Sequence, residues 1–260
     1  MKVVTYNVNG IKARLPRLLE YLAEERPDVV CLQELKSTDE TVPADQVREA
    51  GYGALWHGQK GFNGVAVLAR GADPVERLRG LPGEPDDDHS RYLEAEVETS
   101  AGLLVVASIY LPNGNPRPGP KFDYKLRWFD RLAARARDVL AEEKPAVLAG
   151  DYNVIPRDTD TFSVSVMAED ALIQPESRAG YRRLVAQGWT DALASRHPRG
   201  GVWTFWDYQA QSWARDHGFR IDHLLLSPQA ADRLADAGVD KHHRDREKAS
   251  DHAPTWATLR

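Results

Sequence analysis

The chain has 260 residues, 42% of them apolar and 28% charged, and carries a formal net charge of −5. That balance excludes a disordered or low-complexity protein, and it argues against broad nonspecific binding of nucleic acid while leaving room for a local basic face. The single cysteine, Cys31, forbids an intrachain disulfide and suits a reducing compartment, and no apolar run approaches the ~20 residues of a membrane span.

Met1 and Lys2 lead straight into a β-rich run at 2–6, without the long apolar stretch of a signal peptide, so a cytoplasmic protein is expected. That run ends in Asn7-Val8-Asn9-Gly10. Leu15, Leu18, Leu19 and Leu22 then recur at helical spacing and predict a helix over 14–25, stopped by Pro27. The buried strand 28–32 ends at Gln33-Glu34, and a further apolar run covers 64–69. Residues 91–99 alternate Leu93, Ala95 and Val97 against Glu94, Glu96 and Glu98, the pattern of a half-exposed strand. Another buried strand, 103–111, ends in Tyr110-Leu111-Pro112-Asn113-Gly114.

A proline-rich loop, 113–120, precedes the longest predicted helix, 122–143, whose apolar stripe is Phe122, Leu126, Phe129, Leu132, Ala136, Val139 and Leu140. Residues 145–149 are a short apolar strand closed by Gly150, with Asp151 and Asn153 at its end; strand alternation would point both side chains the same way. A helix follows at 176–187 with Tyr181, Leu184 and Val185 inward, then a glycine- and aromatic-rich stretch at 200–219. A strand at 220–227, a short helix at 228–237 and a polar run at 240–249 lead to Ser250-Asp251-His252 and a closing strand at 254–259. Within the polar run, Lys241-His242-His243-Arg244 reads as a solvated turn. No composition shift marks a boundary, so residues 1–260 are expected to form one α/β domain built on two mixed sheets stacked face to face.

The polar residues at the ends of these runs carry the chemistry. Alone, each has an ordinary reading: an Asn at a strand end makes a turn, a Glu after a strand is solvated, an Asp-His pair is structural. Together, Asn7, Glu34, Tyr110, Asp151, Asn153, Asp222, Asp251 and His252 point to a site along one sheet edge. Carboxylate and amide oxygens suit a hard cation, Mg²⁺ or Mn²⁺, rather than Zn²⁺. Glu34 with Asn7 supplies such a site, with Asp251 close by. Asp151 is the candidate base for a water nucleophile, and Asn153 a hydrogen-bond donor to water or phosphate. His252 is a donor to a nonbridging oxygen, Asp222 the carboxylate that sets its tautomer and charge, and Tyr110 a phenolic donor to the pentacovalent centre.

The motifs YNVNG (6–10), LQELK (32–36), YLPNG (110–114), GDYN (150–153), TFWDY (204–208), RIDHLLLS (220–227) and SDHAP (250–254) resemble, in order, those of the exonuclease III family of AP endonucleases. The resemblance spans nearly the whole chain. It implies a four-layer α/β/β/α sandwich, dependence on Mg²⁺ or Mn²⁺, and hydrolysis of the DNA backbone 5′ to abasic sites by a monomer, with 3′→5′ exonuclease and 3′-end-processing activities. It supports the site roles above and leaves open a second cation held by Asp151, Asn153 and His252. It also implies that Phe205, Phe219 and Ile221 line a pocket for a flipped-out abasic sugar. Trp203, Phe205 and Trp206 have an alternative reading as core aromatics, which is preferred for Trp206. Trp213, in a polar loop, is a candidate wedge into the DNA stack. Candidate phosphate contacts are Arg14, Lys36, Lys60, Arg117, Lys121 and Arg215. The wider superfamily acts on RNA, phosphoinositides and sphingomyelin with the same chemistry, but the Phe205/Phe219 pocket favours DNA. A non-catalytic DNA-binding module would have no use for the full carboxylate and amide set.

Overall fold

Alternation along the first strand sets the layering: Val3 enters one hydrophobic cluster and Val4 the cluster on the opposite side. The computed structural model describes residues 1–260. Its first six strands are β1 (Lys2–Asn7), β2 (Val29–Gln33), β3 (Tyr52–His57), β4 (Val65–Arg70), β5 (Val75–Arg79) and β6 (Tyr92–Thr99). The remaining six are β7 (Gly102–Tyr110), β8 (Ala146–Asp151), β9 (Thr190–Asp191), β10 (Asp222–Leu226), β11 (Leu234–Val239) and β12 (Thr255–Leu259). The helices are α1 (Ile11–Glu25), α2 (Ala44–Glu49), α3 (Pro120–Ala141), α4 (Val164–Met167), α5 (Pro175–Ala186), α6 (Ala192–Arg196) and α7 (Pro228–Ala231).

Two six-stranded sheets result, ordered β11-β12-β1-β2-β4-β3 and β5-β6-β7-β8-β10-β9. Both are mixed, because β1–β2 and β7–β8 pair in parallel and the other neighbours antiparallel. Between the sheets lies a cluster of 21 buried residues, among them Val29, Cys31 and Val67 from one sheet and Val106, Val147 and Leu224 from the other. Fully burying each such aliphatic side chain contributes about 1.5–3 kcal/mol. On the outer face of the first sheet, Leu18, Tyr21 and Leu22 of α1 and Val47 of α2 pack on Val4, Tyr6 and Leu32. On the second, Trp128, Phe129 and Leu132 of α3 with Tyr181 and Leu184 of α5 cover Val105, Ala107 and Leu148. The architecture is the four-layer α/β/β/α sandwich that the motifs implied. No helix is long and apolar enough to cross a membrane.

Several local expectations need correction. The helix expected at 14–25 starts at Ile11, where Gly10 with φ 100° opens it and Pro16 is tolerated in its interior. The helix expected to fill 228–237 stops at Ala231, and the chain turns into β11, which pairs along β12. Strands β3 and β5 carry no apolar alternation strong enough to find, and both lie at sheet edges. β6 is not half-exposed: Glu94 is completely buried, gripped by Arg77, Arg135 and the Tyr92 hydroxyl. The stripe of α3 includes Lys125 and Trp128 rather than Leu126, because the helix packs on α5 as well as on the sheet. Val185 of α5 points outward.

Candidate active site

Four strand ends bring the polar residues to one edge. Asn7 closes β1 opposite Gln33 of β2, Tyr110 closes β7 opposite Asp151 of β8, and Asp222 opens β10 across from Asp151. Gly150 must be glycine, since a Cβ there would fall 2.0 Å from the Ile109 carbonyl oxygen. Just past the strands, Asn9, Glu34, Lys36 and Asn153 all adopt left-handed backbone, with φ of 45°, 53°, 52° and 46°. Such conformations cost on the order of 1–3 kcal/mol each and cluster where a side chain must be aimed. For Asn153 this replaces the alternation argument: it lies beyond β8, and its backbone N–H turns back to Asp151 Oδ1 at 2.9 Å.

The resulting geometry is tight. The amide of Asn7 donates both of its hydrogens, to Glu34 Oε1 at 2.9 Å and to Asp151 Oδ2 at 3.0 Å, bridging the two sheets. Tyr110 donates its hydroxyl to Glu34 Oε1 at 3.0 Å, and Lys36 pairs with Glu34 Oε2 at 2.9 Å. His252 donates from Nδ1 to Asp222 Oδ2 at 2.8 Å and presents Nε2 3.8 Å from Asp151 Oδ2. Asn153 Oδ1 accepts from Asn113 Nδ2 at 3.1 Å while its own amide donates to the Leu111 carbonyl at 2.9 Å.

Burial and charge set the protonation states. Burial raises the Asp151 carboxyl well above the usual range; Asp222 and Glu34 push the same way, and His252 opposes them. Burial alone would lower the His252 imidazole, but the Asp222 carboxylate on Nδ1, with Asp151 and Asp251, outweighs it and raises the pKa to about 10. Glu34 is held low despite burial, by the Asn7 amide and Lys36. Burial pushes the Tyr110 hydroxyl far up, reinforced by Glu34 and Asp151, so it remains a donor.

The donor set fits a hard divalent cation. Oxygens of Glu34 and Asp151 lie within 4.8 Å of each other and of His252 Nε2; an imidazolium has no lone pair to offer, so the carboxylates are the ligands and His252 lies beside them. Asp222 Oδ1, buried beside them, has no hydrogen-bond partner. Three carboxylates face two cations here, the His252 imidazolium and the Lys36 ammonium, and the remaining negative charge in a low-dielectric setting favours a metal cation. Asp251 Oδ1 accepts from Asn9 Nδ2 at 3.0 Å, and Asn9 and Lys36 link it to Glu34.

The aromatic residues lie against this centre. Phe205 stands edge-on to His252 with ring centres 4.9 Å apart, and Phe219 sits 4.7 Å from Phe205. Both pack on a small cluster that contains Ile221, Ile155 and Leu172. Trp206 is fully buried, as preferred for it. Trp213 is packed edge-to-face on Trp206, with Nε1 donating to Asp245 and Arg244 over its ring, so insertion into DNA would require its release. Of the candidate phosphate contacts, Lys60, Lys121 and Arg215 are exposed. Arg14 donates to the Tyr208 hydroxyl, Lys36 is committed to Glu34, and Arg117 is tied to Glu169.

Sequence reasoning missed a supporting layer. Asn9 and Asn113 could have been suspected from the turn motifs that contain them. Lys125 could not: it sits in a helical stripe, yet its buried Nζ donates to the carbonyls of Asn113, at 3.0 Å, and Asn153. Arg91 lies over the Tyr110 ring, 4.7 Å from its centre, and no local pattern announces it.

Residues 4–252 match the Endonuclease/Exonuclease/phosphatase family. Exodeoxyribonuclease III of Haemophilus influenzae is 35% identical over 272 aligned residues, covering 100% of each chain. Among solved structures, an AP endonuclease from Archaeoglobus fulgidus superposes with a TM-score of 0.93 at 32% identity, over 100% of this chain and 99% of that one. A 3′-5′ exonuclease from Neisseria meningitidis does so with the same TM-score and coverage at 37% identity.

Proposed function

The chain belongs to the endonuclease/exonuclease/phosphatase family and is a nuclease of the exonuclease III type, and from that premise we propose that it hydrolyses the backbone of duplex DNA on the 5′ side of abasic sites and processes damaged 3′ ends. Residues 1–260 would act as one catalytic domain and as a monomer. The fully buried free thiol of Cys31 suits the cytoplasm, where we place it. The observation that carries the reading is the buried Asp151 carboxylate, bridged to Glu34 by Asn7 and facing an imidazolium at His252.

Each residue has a defined task. Glu34, with Asp151 and the surrounding amide oxygens, would hold Mg²⁺ or Mn²⁺. When bound, such a cation supplies Lewis-acid polarisation of a phosphoryl oxygen and neutralises developing charge. Asp151 takes the proton of the attacking water as its oxygen bonds to phosphorus; the P–O3′ bond breaks, and the departing 3′ oxygen takes up a proton from a second water, while Asp151 returns its own to solvent. His252, kept cationic by Asp222, donates to a nonbridging oxygen. Tyr110 and Asn153, each now bonded to a neighbour, exchange that partner for the phosphate when substrate arrives. Phe205, Phe219 and Ile221 form an apolar wall beside the scissile bond that accepts a sugar lacking its base.

The test is a side-by-side assay on abasic, nicked and 3′-phosphate duplexes, each with an EDTA control. Asp151→Asn is expected to lose at least about a hundredfold in incision, the usual scale for a general base, while still binding the abasic duplex. Turnover near that of the unaltered chain would remove Asp151 from the role. Phe219→Ala is expected to narrow the preference for abasic over intact duplex; unchanged selectivity would place the pocket elsewhere.

A further inference from the structure

A second cluster of metal-ligating side chains lies away from the catalytic edge, where the C-terminal end of α1 meets residues 241–243. His243 is 3% exposed, and neither of its ring nitrogens has a hydrogen-bond partner. A buried imidazole carries at least one N–H and one lone pair that need satisfying, so an unpartnered one points to a missing group. Its Nε2 is 3.6 Å from Glu24 Oε2, and Glu24, the neighbouring His242 and His243 each place a ligand atom within 4.8 Å of the other two.

We propose that Glu24, His242 and His243 form a site for a first-row transition cation of the Zn²⁺, Co²⁺ and Ni²⁺ class, distinct from the catalytic centre. Two imidazoles and one carboxylate are the donors that such ions prefer, whereas Mg²⁺ favours oxygen alone. Bonds of about 2.0–2.1 Å in a tetrahedron separate neighbouring donors by roughly 3.4 Å. The Glu24–His243 pair already meets that spacing. His242, with 58% of its side chain exposed, and Glu24, with 45%, are free to close the remainder. His243 is the fixed point: the Tyr21 ring stands edge-to-face on it at 4.8 Å, and Tyr21 is itself anchored by a 3.0 Å hydrogen bond to Asp240. Arg246 already donates to both Glu24 oxygens, at 3.2 and 2.6 Å. A ligating carboxylate keeps such an outer partner, because a lone pair of each oxygen stays available. Glu25, whose Oε1 is 3.7 Å from His242 Nε2, or a water completes the fourth position.

The role that follows is a staple. α1 opens the chain's first α-layer, and 241–243 begin the segment that runs into Ser250–His252; a bound cation would tie the two together without touching substrate. The experiment is a Co²⁺ titration of the metal-free, full-length chain in excess Mg²⁺, read by the strong visible absorption of tetrahedral Co²⁺. The unaltered chain and Glu34→Gln are both expected to take up one absorbing equivalent, displaceable by Zn²⁺. His242→Ala, a surface substitution, is expected to lose that equivalent and the Zn²⁺-dependent rise in Tm while keeping its Mg²⁺-dependent nuclease activity. Absence of tetrahedral absorption in the unaltered chain, its survival in His242→Ala, or its loss in Glu34→Gln overturns the proposal.

Discussion

His252 shows how one partner sets the chemistry of a residue. The Asp222 carboxylate on Nδ1 keeps its imidazole protonated up to a pKa of about 10. A cationic donor is therefore present throughout the neutral range and is lost only as pH rises through that value. Asp222→Asn removes the charge that holds the proton, so the alkaline limb of the kcat/KM profile is expected to move toward neutral pH. An unmoved limb would mean that another group titrates there. Glu34 makes a complementary case. It accepts from Asn7, Tyr110 and Lys36 at once, which fixes its position before any cation arrives. Glu34→Ala is expected to raise the Mg²⁺ concentration for half-maximal incision by about ten- to a hundredfold, and an unchanged metal titration would exclude it as the main ligand.

At the scale of elements, α3 does more than cover a sheet. Lys125 reaches from it to the carbonyls of Asn113 and Asn153, holding the loop after β7 and the turn after β8 in register. Burial lowers its pKa to about 7, with Asp170 and Asp151 only partly opposing, a cost accepted at a position where the buried Asn153 carbonyl needs a donor. Lys125→Met keeps the length and loses the donors. It is expected to lower incision roughly tenfold or more with little change in DNA affinity, while the buried Asn153 carbonyl left unpaired costs about 1–3 kcal/mol of stability. Full activity in a folded Lys125→Met would show that the loops hold without it. Beneath the site, Arg220 joins β10 to Asp191 at the start of α6, at 2.8 Å, and to Asp160. Burial alone would raise Asp191, but Arg220, His223 and the Ala194 N–H bring it from 3.8 to about 2. A carboxyl depressed in the fold contributes stability above its ordinary value and loses it as pH falls through the folded value. About 2 kcal/mol is at stake between pH ~4 and ~2. In Asp191→Asn, urea denaturation is expected to show a lower midpoint at neutral pH and a shallower fall over that acid window.

Across the whole molecule, the net charge of −5 leaves DNA binding to local groups of exposed cations. Lys60, Lys121 and Arg215 form no ion pair, whereas Lys36 and Arg117 are held by Glu34 and Glu169. Counterion release then predicts a modest salt dependence. Measured by anisotropy on the Asp151→Asn protein, the slope of log affinity against log salt is expected to fall by about 1 for each of Lys60→Ala, Lys121→Ala and Arg215→Ala. Arg117→Ala is expected to change it less, and equal slopes in all four would move the DNA path elsewhere.

The local chemistry of this chain was readable without coordinates. Apolar runs closed by Asn7, Glu34, Tyr110 and Asp151 announce strands that deliver polar groups, and the gathered oxygen donors announce a metal site, because alternation and ligand preference are properties of short stretches. Contacts between distant residues were not readable. Asn7 and Asp151 are 144 positions apart, and only the stacking of two sheets lets the Asn7 amide bridge the carboxylates of Glu34 and Asp151. The same holds for the burial of Glu94 beneath α3, the carbonyls gripped by Lys125, the contact of Asp251 with Asn9 and the unpartnered ring of His243. Sequence specified which groups exist; which of them are stripped of water, and what each then faces, depends on packing between elements that no local pattern encodes.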